Sequence, residues 1–367
     1  MRRIALLLFL ILFPVTAASA QNSVVLTEPS HRNSSGVFVD DDLALLLSQN
    51  GRLGIALFQD ARRANSLYID MALIEEVQDL TDGYTFLNAN GEEVTVAANP
   101  IAMAWLTYLE RISTNKTVFA LPYGNPERAF LMKRAPSEYR FYQEIAEARL
   151  SGFLGVPVER ADSRSENNVR SSDDARTLHT AYRNELRRIY AVVPAPEVAS
   201  LRLQLGKIMN PTISKERLPA LTKSLRAALK ENRTKLRVAS GNYTITASKY
   251  NLPLTVINGY SLPVTVKLQA RASNSRVLIT KVSSLTIPAN SQLQVELPLE
   301  VIASGETDLS IKLLGVSNKQ IGEVATIPLR LAVISPVTTW FTTGMAIILL
   351  LAAIIQSLRR VKKRKVV

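Results

Sequence analysis

The chain contains no cysteine. Disulfide-stapled folds and cysteine nucleophiles are therefore excluded. A secreted animal domain of this size usually carries disulfides, so their absence fits a bacterial envelope protein that relies on its core. The Asn-x-Ser/Thr triplets at Asn33, Asn115, Asn232 and Asn242 are accordingly read as chance. Histidine is almost as scarce: His31 and His179 are the only two, and they lie far apart. A zinc-dependent deacetylase needs metal ligands at helical spacing, such as His-x-x-x-His, so no metal and no cofactor is expected. No Gly-rich phosphate loop and no Gly-x-Ser-x-Gly elbow occurs either.

Long apolar runs occur only at the two ends. Arg2 and Arg3 precede the apolar stretch Ile4–Phe13, and Ala18-Ser19-Ala20 is a small-x-small cleavage site before Gln21. Residues 1–20 are predicted to be a secretory signal peptide, because the run is too short to span ~30 Å of hydrocarbon. Residues 338–358 are almost wholly apolar and are predicted to be one transmembrane helix. Trp340 would sit at one interface. Arg359, Arg360, Lys362, Lys363, Arg364 and Lys365 would sit at the other, as a basic cytoplasmic tail over 359–367. The expected topology is single-pass type I in the cell membrane, with the bulk of the chain outside.

A formal net charge of +13 invites a nucleic-acid reading, but its distribution argues against one. Residues 21–175 carry 14 basic against 22 acidic side chains, residues 176–237 carry 14 against 4, and residues 238–358 carry 8 against 5. The excess sits in one middle segment and in the tail. No nucleic-acid partner is expected outside a cell, and a basic tail suits anionic lipid.

Between the ends, the pattern changes twice. Residues 21–160 read as an α/β head: "SLYID" and "KTVFAL" as parallel strands, helices after Asp42, Gly51, Asp70 and Pro100, and a hairpin at "YTFLNANGEEVTV". Only these two parallel strands stand out, so a full barrel is not expected. Residues 161–237 read as a polar loop and a basic helical segment in about three pieces, broken near Pro194-Ala195-Pro196 and Asn210-Pro211. Residues 238–335 switch to period two, with about seven short runs and turns at Asn258-Gly259, Ala289-Asn290 and Ser304-Gly305. That is the signature of an immunoglobulin-like β-sandwich without the Cys…Trp…Cys core. The expected class is thus an α/β head with few parallel strands, a helical segment, a sandwich and one C-terminal transmembrane helix.

Three stretches, "SHRNSSGVFVDDDL", "VFALPYGNPE" and "LPLTVINGYSLPVTVKL", together resemble an uncharacterised family of actinobacterial cell-envelope proteins. The resemblance implies a signal peptide, a head distantly like the barrels that act on polysaccharides, a β-sandwich, a membrane helix and a basic tail. It also implies genes often placed beside that of the MurJ-type lipid II flippase, and so a cell-wall setting. This chain is shorter than typical members, with the second half of the head missing between about 155 and 195. The partners implied are the membrane, cell-wall polymer or envelope-assembly proteins.

For catalysis, a glycosidase needs two carboxylates facing one sugar. Asp40, Asp41, Asp42 and Asp70 are the candidates, with Tyr123 and Asn125 as ligand-binding candidates, because sites in parallel α/β folds lie at the carboxyl ends of strands. The competing reading is structural: Asp40–Asp42 and Asp70 cap helices, and "PYGNP" is a turn. The function expected is a non-enzymatic, membrane-anchored scaffold or accessory factor in cell-wall assembly. The alternative is a glycan-binding or glycan-hydrolysing protein with a degenerate barrel-like head.

Overall fold

The computed structural model describes residues 23–164, 169–315, 317–332 and 336–363. The predicted leader over 1–20 lies outside them. The chain divides into two compact units. One takes the described residues up to Arg176 together with Leu205–Ser224; the other takes Thr177–Gln204 and the described residues from Leu225 onward.

The first unit begins with β1 (Ser23–Leu26), α1 (Asp42–Leu47), α2 (Arg52–Ile55), α3 (Ala61–Arg63), β2 (Ser66–Asp70), α4 (Met71–Asp82), β3 (Tyr84–Leu87) and β4 (Glu93–Val96). It continues through α5 (Pro100–Ser113), β5 (Thr117–Leu121), α6 (Arg128–Arg134), α7 (Pro136–Leu154) and β6 (Val158–Arg160). A π-helical turn, Ala56–Asp60, joins α2 to α3. Local chemistry sets the helix ends. The Asn99 side chain accepts from Ile101 N at 2.9 Å, Pro100 opens α5, and left-handed Gly155 closes α7.

The head sheet runs β1-β2-β5-β6, all parallel. Its order in space is its order in the chain, so every right-handed crossover steps the same way and places its helix on the same face. The helices agree: the π turn touches α5, α5 touches α4, and α4 touches α7, forming one layer. Burial agrees as well. Leu26, Leu67, Ile69, Val118 and Ala120 are buried, whereas Val25, Tyr68 and Phe119, which alternate with them, are half-buried and Glu159 is exposed. This is a singly wound parallel sheet with one layer of helices on one face. Where sequence patterning predicted two parallel strands, the structure has four.

The second unit holds most of α8 (Asp173–Tyr190), α9 (Pro196–Lys207) and α10 (Leu218–Lys235), then nine strands. These are β7 (Leu236–Val238), β8 (Tyr243–Ile245), β9 (Lys249–Asn258), β10 (Val264–Ala272), β11 (Val277–Ile279), β12 (Ser284–Ile287), β13 (Ser291–Val301), β14 (Gly305–Leu314) and β15 (Gln320–Leu331). They form two sheets, β12-β10-β14-β15-β8 and β11-β13-β9-β7. Leu252, Leu254 and Val256 of β9, Leu297 and Leu299 of β13, and Leu309, Ile311 and Leu313 of β14 are buried at every second position. This is a β-sandwich-like pair of sheets, with two strands more than the seven runs predicted. In the link "NGYSLP", Asn258 Nδ2 donates to Leu262 O (2.9 Å) and Pro288 O (2.8 Å), while its Oδ1 accepts from Tyr260 N (3.0 Å).

One element of the expected class is corrected. A last helix, α11 (Pro336–Lys363), is present, but among the described residues no helix is long and apolar enough to cross a membrane. The expected transmembrane helix over 338–358 is therefore not supported. The side chains of α11 are described over residues 343–356. The side chains of Trp340, Arg359, Arg360, Lys362, Lys363, Arg364 and Lys365, expected at the membrane interfaces, lie outside the described set.

Candidate functional site

The polar residues of the first unit gather at the carboxyl ends of β1, β2 and β5. Asp70 ends β2 and is fully buried. Its Oδ1 accepts from Ala72 N (3.0 Å), which caps α4, and from Gly124 N (2.9 Å) beyond β5. Its Oδ2 accepts from Thr27 Oγ1 (3.3 Å) beyond β1. One carboxyl thus ties three strand ends together. Burial pushes its pKa up to about 7, against the opposing pull of these hydrogen bonds.

Beside it, Glu76 on α4 is buried and forms an ion pair with Lys207, Oε1 to Nζ 2.5 Å. Ser30 Oγ donates to the same Oε1 at 2.5 Å, and His31 N donates to Oε2 at 2.9 Å. Burial alone would raise the Glu76 pKa, but the Lys207 and His31 charges and these hydrogen bonds hold it below the usual carboxylate range. Lys207, in turn, is seated against Gly124. That glycine has φ +78°, and a Cβ there would meet Lys207 Cα at 2.8 Å. Asn210 Nδ2 donates to Gly124 O (3.0 Å), and Glu127 N donates to Met209 O (2.9 Å). The returning segment Leu205–Asn210 therefore lies across the strand ends, where a parallel α/β sheet usually keeps its ligand.

A second cluster surrounds His31, which is fully buried. Its Nδ1 lies 2.5 Å from Asp40 Oδ1 and its Nε2 3.3 Å from Glu28 Oε1. Arg217 Nε donates to Asp40 Oδ2 at 2.7 Å, so the returning segment is fastened here too. Burial would lower the His31 pKa, but the bonds to Asp40 and Glu28 outweigh it and raise the value to about 9.

Each predicted site residue has its own partners within the chain. Asp40 serves His31 and Arg217; Asp41 accepts from the Tyr84 hydroxyl; Asp42 is exposed, 3.7 Å from Arg217 Nη2. Among the described residues no hydrogen bond joins any of them to Asp70. Tyr123 is buried and donates to Glu75, and Arg149 stands over its ring at 5.8 Å. Asn125, at φ 45°, pairs with the Arg164 backbone, donating to its O (2.7 Å) and accepting from its N (2.8 Å). Asn125, like Tyr123, is buried. Sequence reasoning missed Glu76, His31, Lys207 and Arg217. One signal was present: Leu73, Glu76, Val77 and Leu80 share a helical face, so a carboxylate occupied a core position.

Residues 144–364 match the family described as "Family of unknown function (DUF6049)". The chain belongs to this family. The DUF6049 match takes in Lys207, Asn210 and Arg217, whereas His31, Asp70 and Glu76 precede it. No curated protein matches the chain. Solved structures similar to part of it include WR4, a C. elegans MSP family member, at 15% identity over 27% of this chain and 98% of that one, TM-score 0.21. The E. coli chaperone DraB has 15% identity over 27% and 57%, TM-score 0.21. The ASH/PapD-like domain of human CEP192 has 12% identity over 28% and 87%, TM-score 0.21. Likenesses this weak decide nothing, and the fold above rests on its own strand order and register.

Proposed function

We propose that the protein is a non-enzymatic scaffold or accessory factor that works outside the cytoplasm, in the assembly of the bacterial cell wall. The observation that carries the first half is the occupied sheet end. Lys207 and Asn210 fill the place where substrate would bind, and Asp70, Glu76 and Asp40 are each held by hydrogen bonds or ion pairs within the chain. A hydrolase needs two carboxylates free to face a sugar from opposite sides. The second half rests on the leader pattern at residues 1–20, the absence of cysteine and the resemblance to actinobacterial envelope proteins encoded beside the lipid II flippase. On this reading the shortened head is retained as structure, and its partners are envelope-assembly proteins or wall polymer.

The test is complementation of a deletion strain together with incubation of the purified protein with peptidoglycan. Asp41→Asn is expected to complement as well as the wild type, and no reducing ends should be released. Release by the wild type that is lost in Asp41→Asn or Asp42→Asn would overturn the non-enzymatic reading.

A further inference from the structure

One edge of the sandwich is only half paired. β12 is four residues long and pairs with β10 over Val264–Lys267 alone. β10 continues to Ala272, held on its other side by β14 from Lys267 to Ala272. Among the described residues, then, the outer edge of Leu268–Ala272 faces no strand. Alternate backbone N–H and C=O groups along it point away from β14. The chain that could have covered this edge does not. After β11 in one sheet, Thr280–Ser283 forms no strand and crosses to β12 in the other sheet.

Between the open edge and this crossing lies a groove of about 840 Å³. Leu268, Ile279, Leu297 and Leu314 give it apolar lining. Lys267, Arg271 and Lys281 stand on its lining as well, all exposed, and no lining residue is acidic. Lys267 Nζ donates to Asn318 Oδ1 at 3.1 Å, which fixes one of the three cations.

We propose that this groove is a docking site for an extended acidic peptide segment of another protein, which adds to β10 as a strand. An open edge supplies main-chain hydrogen bonds, and pockets for alternate side chains supply selectivity. Five residues of edge, at about 3.3 Å each, accommodate a strand of about five residues. Every second side chain of that strand, apolar, faces the Leu268 and Leu297 side. The others, acidic, meet Lys267, Arg271 and Lys281. The charge of the rim selects acidic over basic partners and hastens encounter. The inference goes beyond the functional reading above and does not depend on where the protein works.

The experiment uses the full chain and three fluorescein-labelled heptapeptides at physiological salt. One alternates Glu and Val, one alternates Lys and Val, and the third repeats the first with alternate backbone nitrogens methylated. The acidic peptide is expected to bind at least about tenfold more tightly than either of the others. Hydrogen exchange is expected to slow within Leu268–Ala272 when it binds. The variant Lys267→Glu/Arg271→Glu/Lys281→Glu, altered only at exposed positions, is expected to reverse the order of the Glu and Lys peptides. Equal binding of those two peptides, binding unaffected by methylation, or protection confined to other segments would overturn the proposal. So would a concentration-dependent dimer abolished by the triple variant, because the occupant would then be a second copy.

Discussion

Replacing Lys207 with methionine isolates the seal over the strand ends. Methionine matches the apolar stem of lysine, so packing against Gly124 is kept and the charge alone is lost. Glu76 keeps its hydrogen bonds from Ser30 and His31 but is left with a buried charge and no ammonium. Breaking a buried pair from one side costs about 3–5 kcal/mol. With a urea slope of ~2 kcal/mol/M, the midpoint falls by about 2 M. Trp105 is fully buried in the first unit, and in a Trp340→Phe background its fluorescence follows that unit by itself. The pH dependence checks the cause. In the wild type the Glu76 pKa is depressed, so its contribution is present above the ordinary carboxylate value and is lost as pH falls through the folded pKa. In Lys207→Met the largest of the charges that hold the carboxyl down is gone, so burial raises its pKa and lowering the pH recovers part of the loss. The double variant Glu76→Leu/Lys207→Met, which removes both charges, should be more stable than Lys207→Met. A loss below ~1 kcal/mol that is flat with pH would refute the argument that this pair seals the site.

Three further outcomes follow from single side chains. The His31 pKa, raised from 6.5 to about 9, contributes stability that is full below 6.5 and is lost as pH rises through 9; that loss is at most about 3 kcal/mol and should vanish in a His31→Gln variant followed by Trp105 fluorescence. Gly124→Ala places a Cβ 2.8 Å from Lys207 Cα at φ +78°, so denaturant unfolding should show a loss of about 1–3 kcal/mol. Asn258→Ala removes the side chain that bridges Leu262, Pro288 and Tyr260 in the sandwich, and should cost about 2–3 kcal/mol in the second unit, read by near-ultraviolet dichroism of its tyrosines.

The sequence made the long, strongly periodic elements readable. α4, α5, α7 and the strands β9, β13 and β14 each carry enough residues for period 3.6 or period 2 to stand out. β1 and β6 did not stand out because four and three residues hold barely one repeat of an alternation. Their strand identity comes from the neighbours they pair with. The site was less legible still, because its bonds join residues far apart in the chain. Glu76 meets Lys207, and Asp40 meets Arg217 across 177 positions. The basic excess of residues 176–237 read as a single segment, yet Lys207 and Arg217 belong to the head unit, where Lys207 is a buried cation and Arg217 a half-buried one. A count of charge along a chain cannot separate a cation that is solvated from one that completes a distant core.

Asp70 decides between structure and catalysis, because both readings accept a buried carboxyl with a pKa near 7. In the structural reading the raised value is the consequence of burial, and the charge is a liability. A folded pKa raised above the unfolded value of 3.8 means stability that is complete below the unfolded pKa and lost as pH rises through about 7. Over the full shift the loss is at most about 4 kcal/mol. Asp70→Asn removes it. The amide oxygen can still accept from Ala72 N and Gly124 N, both of which bond Oδ1, and the Thr27 hydroxyl can turn to accept from the new amine. The variant should therefore be close to wild type in stability near neutral pH and more stable than wild type at pH 9, while complementing a deletion strain fully. In the catalytic reading the same substitution removes a proton carrier, so complementation fails whatever the stability does. Equal destabilisation of Asp70→Asn at pH 5 and pH 9 would refute the structural account from the other side, since it would show that the bonds to Asp70 require the carboxylate and that its burial carries no charge penalty.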